Sequence, residues 1–458
     1  MIKLKLKHRP SAQVRALQYR LATRNTQPPT NKTYENNTPS PVKAVAEFEP
    51  MGGLVIAYPG TVIQNHDHIQ LPPGGPRAFG IPNELIVRAQ QNDTKQPVHI
   101  FILCADLDER ANIIKDLQKT ADELKIQFKP DNMHLVPWDT DTFWTRDYAP
   151  WWIYNEKTAN YGIVKHGYTT LGGGSVGLVE GAEGVDPRQG LGIFRPNDDF
   201  GAVKLSDYIY GPIRKWNNAE WPDKQKLPPI KEHDWYYLGL LDVGGNYMVT
   251  GTGAIASSYL VATQNEIPFG TTANNTDPSP ADIEARMKYI LDQFNRFMGV
   301  HNYHVLTDPT GTYIGHIDCW GKYLAPDKIL IAQSQDSAVN KQLDTIAEYF
   351  SSLKYSVYRV LCQNVFIPDS DDEPATTAAY TNSLILNNCV YVPIAGQEYG
   401  TFDQNALAVY QNALPGYQIT GIKSKPGFPW LGTDAMHCRT NAIPRTVVDN
   451  WLRSQKLL

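Results

Sequence analysis

From about residue 43 onward, short runs of aliphatic and β-branched residues alternate with longer amphipathic stretches, and turn formers separate the two. This alternation constrains the fold more than any other feature and points to an α/β chain. Strand-like runs fall at 54–58, 99–104, 259–263, 329–332, 383–386 and 390–394. Helix-like runs fall near 82–92, 107–124, 281–298, 340–353 and 403–413. Five helices among many short strands suggest a repeated strand–helix module, although no strict sequence period accompanies them.

Two of the helices have readable starts. Asp106 is placed to cap a helix whose third position is Glu109, the arrangement of a capping box. Ser279-Pro280 sets a hydroxyl before a proline suited to a first helical turn. Ile283, Met287, Ile290, Leu291, Phe294 and Phe297 then fall on one expected core face, and Gly299 stops the helix.

Composition narrows the function classes. With 42% hydrophobic and 11% aromatic residues, the 458-residue chain can bury a sizeable core and is not mainly disordered. Its 42 Lys+Arg against 47 Asp+Glu give a net charge of -5, which argues against a general nucleic-acid binder. No run of 18 apolar residues is present, so no membrane-spanning helix is expected. The five cysteines are far apart and include no C-x-x-C pair, which disfavours a disulfide framework and a structural zinc site.

Residues 1–42 read as an extension. Residues 1–24 are basic and acid-free but lack the apolar stretch of a secretory signal; 25–42 are rich in Pro, Asn and Thr, a flexible lead-in. Residues 43–458 read as a single catalytic domain carrying a Gly-rich insertion at 171–192. The GGG of that insertion is no phosphate cradle, because no Lys-Ser/Thr follows it. The acidic run Asp369, Asp371, Asp372 and Glu373 lacks the terminal bidentate Glu of an EF-hand and reads as a solvated loop.

Four segments concentrate rare polar residues beside aromatics and glycines: FWTRDY at 143–148, YIGHIDCW at 313–320, YTNS at 380–383 and GTDAMHCRTN at 432–441. If the second is a strand, His316 and Asp318 share one face. Cys438 follows a Gly-Thr-Asp turn, and the adjacent Arg439 could favour its thiolate. Taken singly, each of these residues also fits a structural part: Cys438 as a small buried hydrophobe, Asp147 in a surface pair or cap. Taken together they supply one thiol, one imidazole and two carboxylates. A guanidinium substrate calls for such a set, since its planar fork of N–H donors matches carboxylates from two sides.

The strings WTRDY, TYIGHIDCWGKYLAPDKILI, YTNSLILNN, PWLGTDAMHCRT, VKAVAEFE and GGNYM resemble the bacterial (Porphyromonas-type) peptidylarginine deiminases, within the guanidino-group-modifying superfamily that includes the agmatine deiminases. The likeness runs from about Val42 to Thr440. It implies the pentein fold, a five-bladed α/β propeller of ββαβ modules around a central active-site cavity. It implies Cys438 as nucleophile, His316 as general acid and then base, and Asp147 and Asp318 as guanidinium ligands. Asn382 would support the cysteine loop, and Trp144 and Tyr313 would line the substrate channel, though core packing suits Trp144 equally. His437 and Cys319 are expected to point away from the cavity.

The implied activity is hydrolysis of peptidyl-arginine to citrulline and ammonia, with arginine-containing peptides or proteins as partners, no cofactor, no metal and no need of calcium. Export would be in keeping with the resemblance, but no leader is legible. The chain ends about 20 residues past Cys438, so anchoring through a following immunoglobulin-like domain and sorting tail is not expected. Rival readings are a deiminase of free guanidino compounds such as agmatine or arginine, a Cys–His protease or amidinotransferase, and a non-catalytic arginine-binding protein.

One departure concerns the peptide terminus. Where the resemblance implies two arginines holding a C-terminal carboxylate, this chain has Ile193 and Arg195. Unless an insertion residue such as Arg188 replaces it, one cationic fork is missing; a charge-assisted contact is worth about 1.5–3 kcal/mol, so preference for C-terminal arginine is expected to be weaker by about tenfold or more.

Overall fold

The computed structural model describes residues 41–60, 77–91, 97–168, 196–211, 235–265, 280–311, 314–366 and 376–457. Arg195, Tyr313, the 171–192 insertion, the acidic run and residues 1–40 of the extension lie outside the described residues.

Among the described residues one unit recurs five times: an antiparallel strand pair, a helix, and a third strand parallel to the second. In the first, Trp151–Asn155 pairs antiparallel with Asn160–Gly167, the helix Pro196–Tyr210 follows, and Trp235–Leu241 returns parallel. Met248–Val249, Ala254–Ser258 and Asn302–Leu306 repeat the order around the helix Pro280–Met298. Gly321–Ala325, Lys328–Ser334 and Ser356–Cys362 do so around Ser337–Ser352. Leu384–Leu386, Cys389–Ile394 and Gln418–Lys423 do so around Gly400–Ala413. The fifth unit draws on both ends of the described chain: Asn441–Pro444 pairs antiparallel with Met51–Ala57, and His99–Leu103 lies parallel to the latter after the helix Asn83–Gln90. Parallel neighbours need a crossover, which is why a helix follows the second strand each time.

Successive units touch. The helix Pro280–Met298 packs on the strand Trp235–Leu241, and Gly400–Ala413 packs on Ser356–Cys362. Along Pro280–Met298, Ile290, Phe294, Phe297 and Met298 are buried at helical spacing, and Gly299 takes φ +65 to end the helix as expected. Leu291 is 39% exposed, contrary to the expected face. It stands one residue, about 100° of rotation, beyond Ile290 and so off the stripe.

A second correction concerns 259–263, read from sequence as a strand. The strand is Ala254–Ser258, and Leu260–Gln264 is a helix. A short aliphatic run has no decisive period. Asn265 ties down the end of this helix: its amide donates to the carbonyls of Val261 at 2.7 Å and Leu241 at 2.7 Å. At the helix start near 107, Asp106 does accept from the backbone of Asp108, capping a 3-10 turn Leu107–Glu109 that leads into Arg110–Leu124.

Two histidines on neighbouring parallel strands form a buried pair. His99 Nδ1 and His134 Nε2 lie 2.9 Å apart, with Trp451 stacked edgewise on His134. Burial, then Arg445 and Lys129, push His99 down to about 4. Burial, then His99 and Arg110, push His134 down to about 3. The unfolded chain therefore binds these protons first. The stability they contribute is complete above the ordinary value of 6.5 and erodes as pH falls from there toward 4. Thermal scans should show the unfolding midpoint falling by about 5 °C or more between pH 7 and 5. His134→Gln should flatten that slope; an unchanged slope would contradict the assignment.

Candidate active site

Three polar side chains from two parts of the chain converge on Gly245. A Cβ built there would sit 2.5 Å from His316 Nδ1, 2.9 Å from Asp147 Oδ1 and 3.2 Å from Asp318 Oδ2. Only glycine fits, and its N–H donates to Asp147 Oδ1 at 3.1 Å.

Asp147 sits on the short helix Thr145–Tyr148. The buried carboxylates Asp198 and Asp141 fix the approach to it. Asp198 accepts the Asp141 and Thr142 N–H groups and the Thr142 hydroxyl, while Asp141 accepts from Asn197. His166 Nε2 donates to the Asp147 carbonyl at 2.8 Å, and burial holds that imidazole neutral, near 3.

His316 immediately precedes a 3-10 turn, Ile317–Cys319, so the strand premise for this segment is corrected. The turn still sends His316 and Asp318 into one space, because Asn246 Oδ1 accepts the Ile317 N–H at 3.3 Å and the Ser258 N–H at 2.8 Å. Neither His316 ring nitrogen has a hydrogen-bond partner, and Nδ1 is 4.0 Å from Asp147 Oδ1. Burial depresses His316 to about 4 against the pull of Asp318.

Cys438 Sγ lies 3.3 Å from Asp318 Oδ2 and 3.1 Å from Asn382 Nδ2. Asn382 Oδ1 accepts the N–H groups of Ala435 and Cys438, and its carbonyl accepts His437 N–H. One amide thus ties down the turn that presents the thiol. The structure brings Cys438, His316, Asp147, Asp318 and Asn382 together. Trp144 is partly buried, its ring 4.8 Å from Phe143, against the edge of the core.

Two expectations fail here. Arg439 does not reach the thiol. It is buried in a fork on Asp434, with 2.6 Å from Nη2 to Oδ2, between the rings of Phe143 and Trp430. Its charge is spent there; burial, then Asp318, Asp434 and Asp147, push the Cys438 thiol well above its usual value. His437 does not point away: Nδ1 is 2.8 Å from Asp318 Oδ2 and Nε2 is 3.1 Å from Glu47 Oε2. Cys319 is buried beside Asp318, its Sγ 3.9 Å from Oδ1.

The arrangement can grip a flat cation between two carboxylates, with a thiol and an uncommitted imidazole beside it. The same architecture is found in solved structures. Agmatine deiminase of Enterococcus faecalis superposes with a TM-score of 0.59 at 18% identity, covering 89% of this chain and 98% of its own. A Porphyromonas gingivalis protein provisionally named an arginine deiminase gives 0.56 at 16%, covering 88% and 98%. The chain has the pentein fold of guanidino-group-modifying proteins, as the resemblance implied.

Within that class, residues 217–444, about half of the chain, match the family of Porphyromonas-type peptidyl-arginine deiminases. A Legionella pneumophila (strain Paris) protein provisionally named an agmatine deiminase is 26% identical over 236 residues. That match covers 47% of this chain and 59% of the relative, less than two thirds of its length.

Proposed function

We propose that the chain is a guanidino-group deiminase that converts peptidyl-arginine to citrulline and ammonia through a covalent cysteine intermediate. The observation that carries this reading is the meeting of Asp147, Asp318 and His316 at Gly245, with Cys438 against Asp318.

The guanidinium sits between Asp147 and Asp318. With the site empty, burial and the nearby carboxylates hold the thiol protonated, and burial holds His316 neutral. The arriving cation offsets those carboxylates, so the thiol can pass its proton to His316. The thiolate adds to the guanidinium carbon. His316 returns the proton to the leaving nitrogen, the C–N bond breaks, and ammonia departs. His316 then takes a proton from water and the resulting hydroxide adds to the S-bound carbon; the C–S bond breaks with its electron pair leaving on Cys438, the added hydroxyl's proton passes to that thiolate as citrulline forms, and His316 releases its proton to solvent. Asp147 and Asp318 hold the positive charge in place throughout. Trp144 and Tyr313 are proposed to flank the substrate, and Arg195 to meet a peptide carboxylate.

A second reading, deimination of a free guanidino compound, is favoured by the relatives that bear the agmatine deiminase name. The test compares agmatine, free arginine, an arginine-terminated peptide and its C-terminal amide. Mass spectrometry reads the gain of about 1 Da as an imine NH becomes O. The peptide should be converted, and amidation should cost no more than about tenfold in kcat/KM, because one cationic fork is missing. Turnover of agmatine alone would replace the peptide reading with the second one. Peptide fragments in place of citrulline would point to a protease.

A further inference from the structure

Glu47 is a buried acid that the chemistry above does not use. It lies in the loop following Val42–Ala44, and its Oε1 accepts the Ile385 N–H at 2.8 Å. Its Oε2 receives Lys322 Nζ at 2.8 Å and faces His437 Nε2 at 3.1 Å. The other nitrogen of the same ring meets Asp318 Oδ2, the oxygen that also faces the Cys438 sulfur. A cavity beside the Gly245 site is lined in part by Glu47, Arg146, Lys322, Tyr247 and His437. His437 thus borders that cavity and also contacts Asp318.

Both ring nitrogens of His437 lie close to carboxylate oxygens: Nδ1 hydrogen-bonds Asp318 Oδ2 at 2.8 Å, and Nε2 is within ion-pair range of Glu47 Oε2 at 3.1 Å. A neutral imidazole would bring a lone pair within that range of one of them; the doubly protonated ring carries a proton toward each side and a charge that attracts both. Burial pushes Glu47 up, but Lys322, His437 and Arg146 outweigh it and hold Glu47 well below the usual carboxylate range. Burial likewise pushes Asp318 up, and hydrogen bonding and charge from His437 bring it below its ordinary value.

We propose that Glu47 and His437 are positioning residues, a carboxylate–imidazolium pair that aims Asp318 at the substrate and offsets its charge beside the Cys438 sulfur. The other charged and titratable groups facing the ring are Lys322 and Arg146 across Glu47, and His316, Cys438 and Cys319 around Asp318. Arg146 also holds the His437 carbonyl through Nε at 3.2 Å. Glu47 matters to the thiol through the proton it keeps on the ring.

This inference rests on the proposed deiminase chemistry, but its sign can be tested without substrate. Cys438 alkylation by iodoacetamide, located by mass spectrometry and followed at pH 8, reads the thiolate directly. Removing a bystander carboxylate would make the thiol easier to ionise and speed alkylation. Glu47→Gln should instead slow it by about tenfold, because the proton that offsets Asp318 leaves with the charge. Glu47→Asp should restore most of the rate, and His437→Gln should slow alkylation as Glu47→Gln does. With substrate, both slowing variants should raise KM more than they lower kcat, since Asp318 loses its aim. Alkylation unchanged or faster in whichever of Glu47→Gln and His437→Gln folds as wild type, judged by circular dichroism, would overturn the relay. Wild-type protein inert toward every guanidino substrate, with slowed alkylation in the variants, would remove the deiminase reading and leave the relay standing.

Discussion

Cys438→Ala should abolish deimination, with kcat falling by at least about 10⁴-fold, while the guanidino substrate still binds within a few-fold of wild type. The asymmetry follows from the geometry. The sulfur is the only proposed nucleophile of the first step, whereas the proposed grip on the cation belongs to Asp147 and Asp318, which the substitution leaves in place. Ammonia release gives the first quantity and titration calorimetry the second. Release at the wild-type rate would end the covalent mechanism. Loss of binding equal to loss of turnover would mean that Cys438 serves to build the pocket.

Asp318→Ala should show no such split. Its carboxylate faces the substrate space, the Cys438 sulfur and the His437 ring at once. Truncation leaves a bound guanidinium and the His437 ring each short of a buried partner, a class of change that costs about 3–5 kcal/mol. Substrate affinity should therefore fall by at least about a hundredfold, and kcat/KM by more, since the aim of the surviving Asp147 is not enough to hold a planar cation. Calorimetry on Asp318→Ala beside Cys438→Ala separates the two roles. Unchanged affinity in the former would place the guanidinium elsewhere.

How legible this site was depended on where each partner lies in the chain. Long amphipathic stretches such as Pro280–Met298 carried their own period and stop signal, and the structure places that helix within a residue of the expected range. Residues 259–263 carried neither, and a side chain outside the run, Asn265, ties down the end of the helix found there. The polar clusters were visible as composition, and the five matched residues do meet. The direction of individual side chains was not visible. His316 and Asp318 share a space by way of a 3-10 turn tied to Asn246, 71 residues from Ile317. His437 was assigned outward on a strand assumption, yet it joins Asp318, 119 residues away, to a carboxylate supplied from the start of the described chain. Arg439 was judged by its neighbour Cys438 in sequence; in space it is claimed by Asp434. Glu47 and Gly245 fell within the matched strings VKAVAEFE and GGNYM, but nothing in their local pattern told what they touch.

The fifth repeat, spliced from both ends of the described chain, ties competence to completion. The strand Asn441–Pro444 begins three residues after Cys438, and it is held by Met51–Ala57, nearly four hundred positions earlier. During synthesis Asp147 and Asp318 emerge long before Cys438, and the turn that presents the sulfur is anchored only once Asn441–Pro444 pairs with Met51–Ala57. On the proposed mechanism, a nascent or C-terminally clipped molecule would hold a guanidino group without altering it, and chemistry would begin only when the fifth repeat is complete.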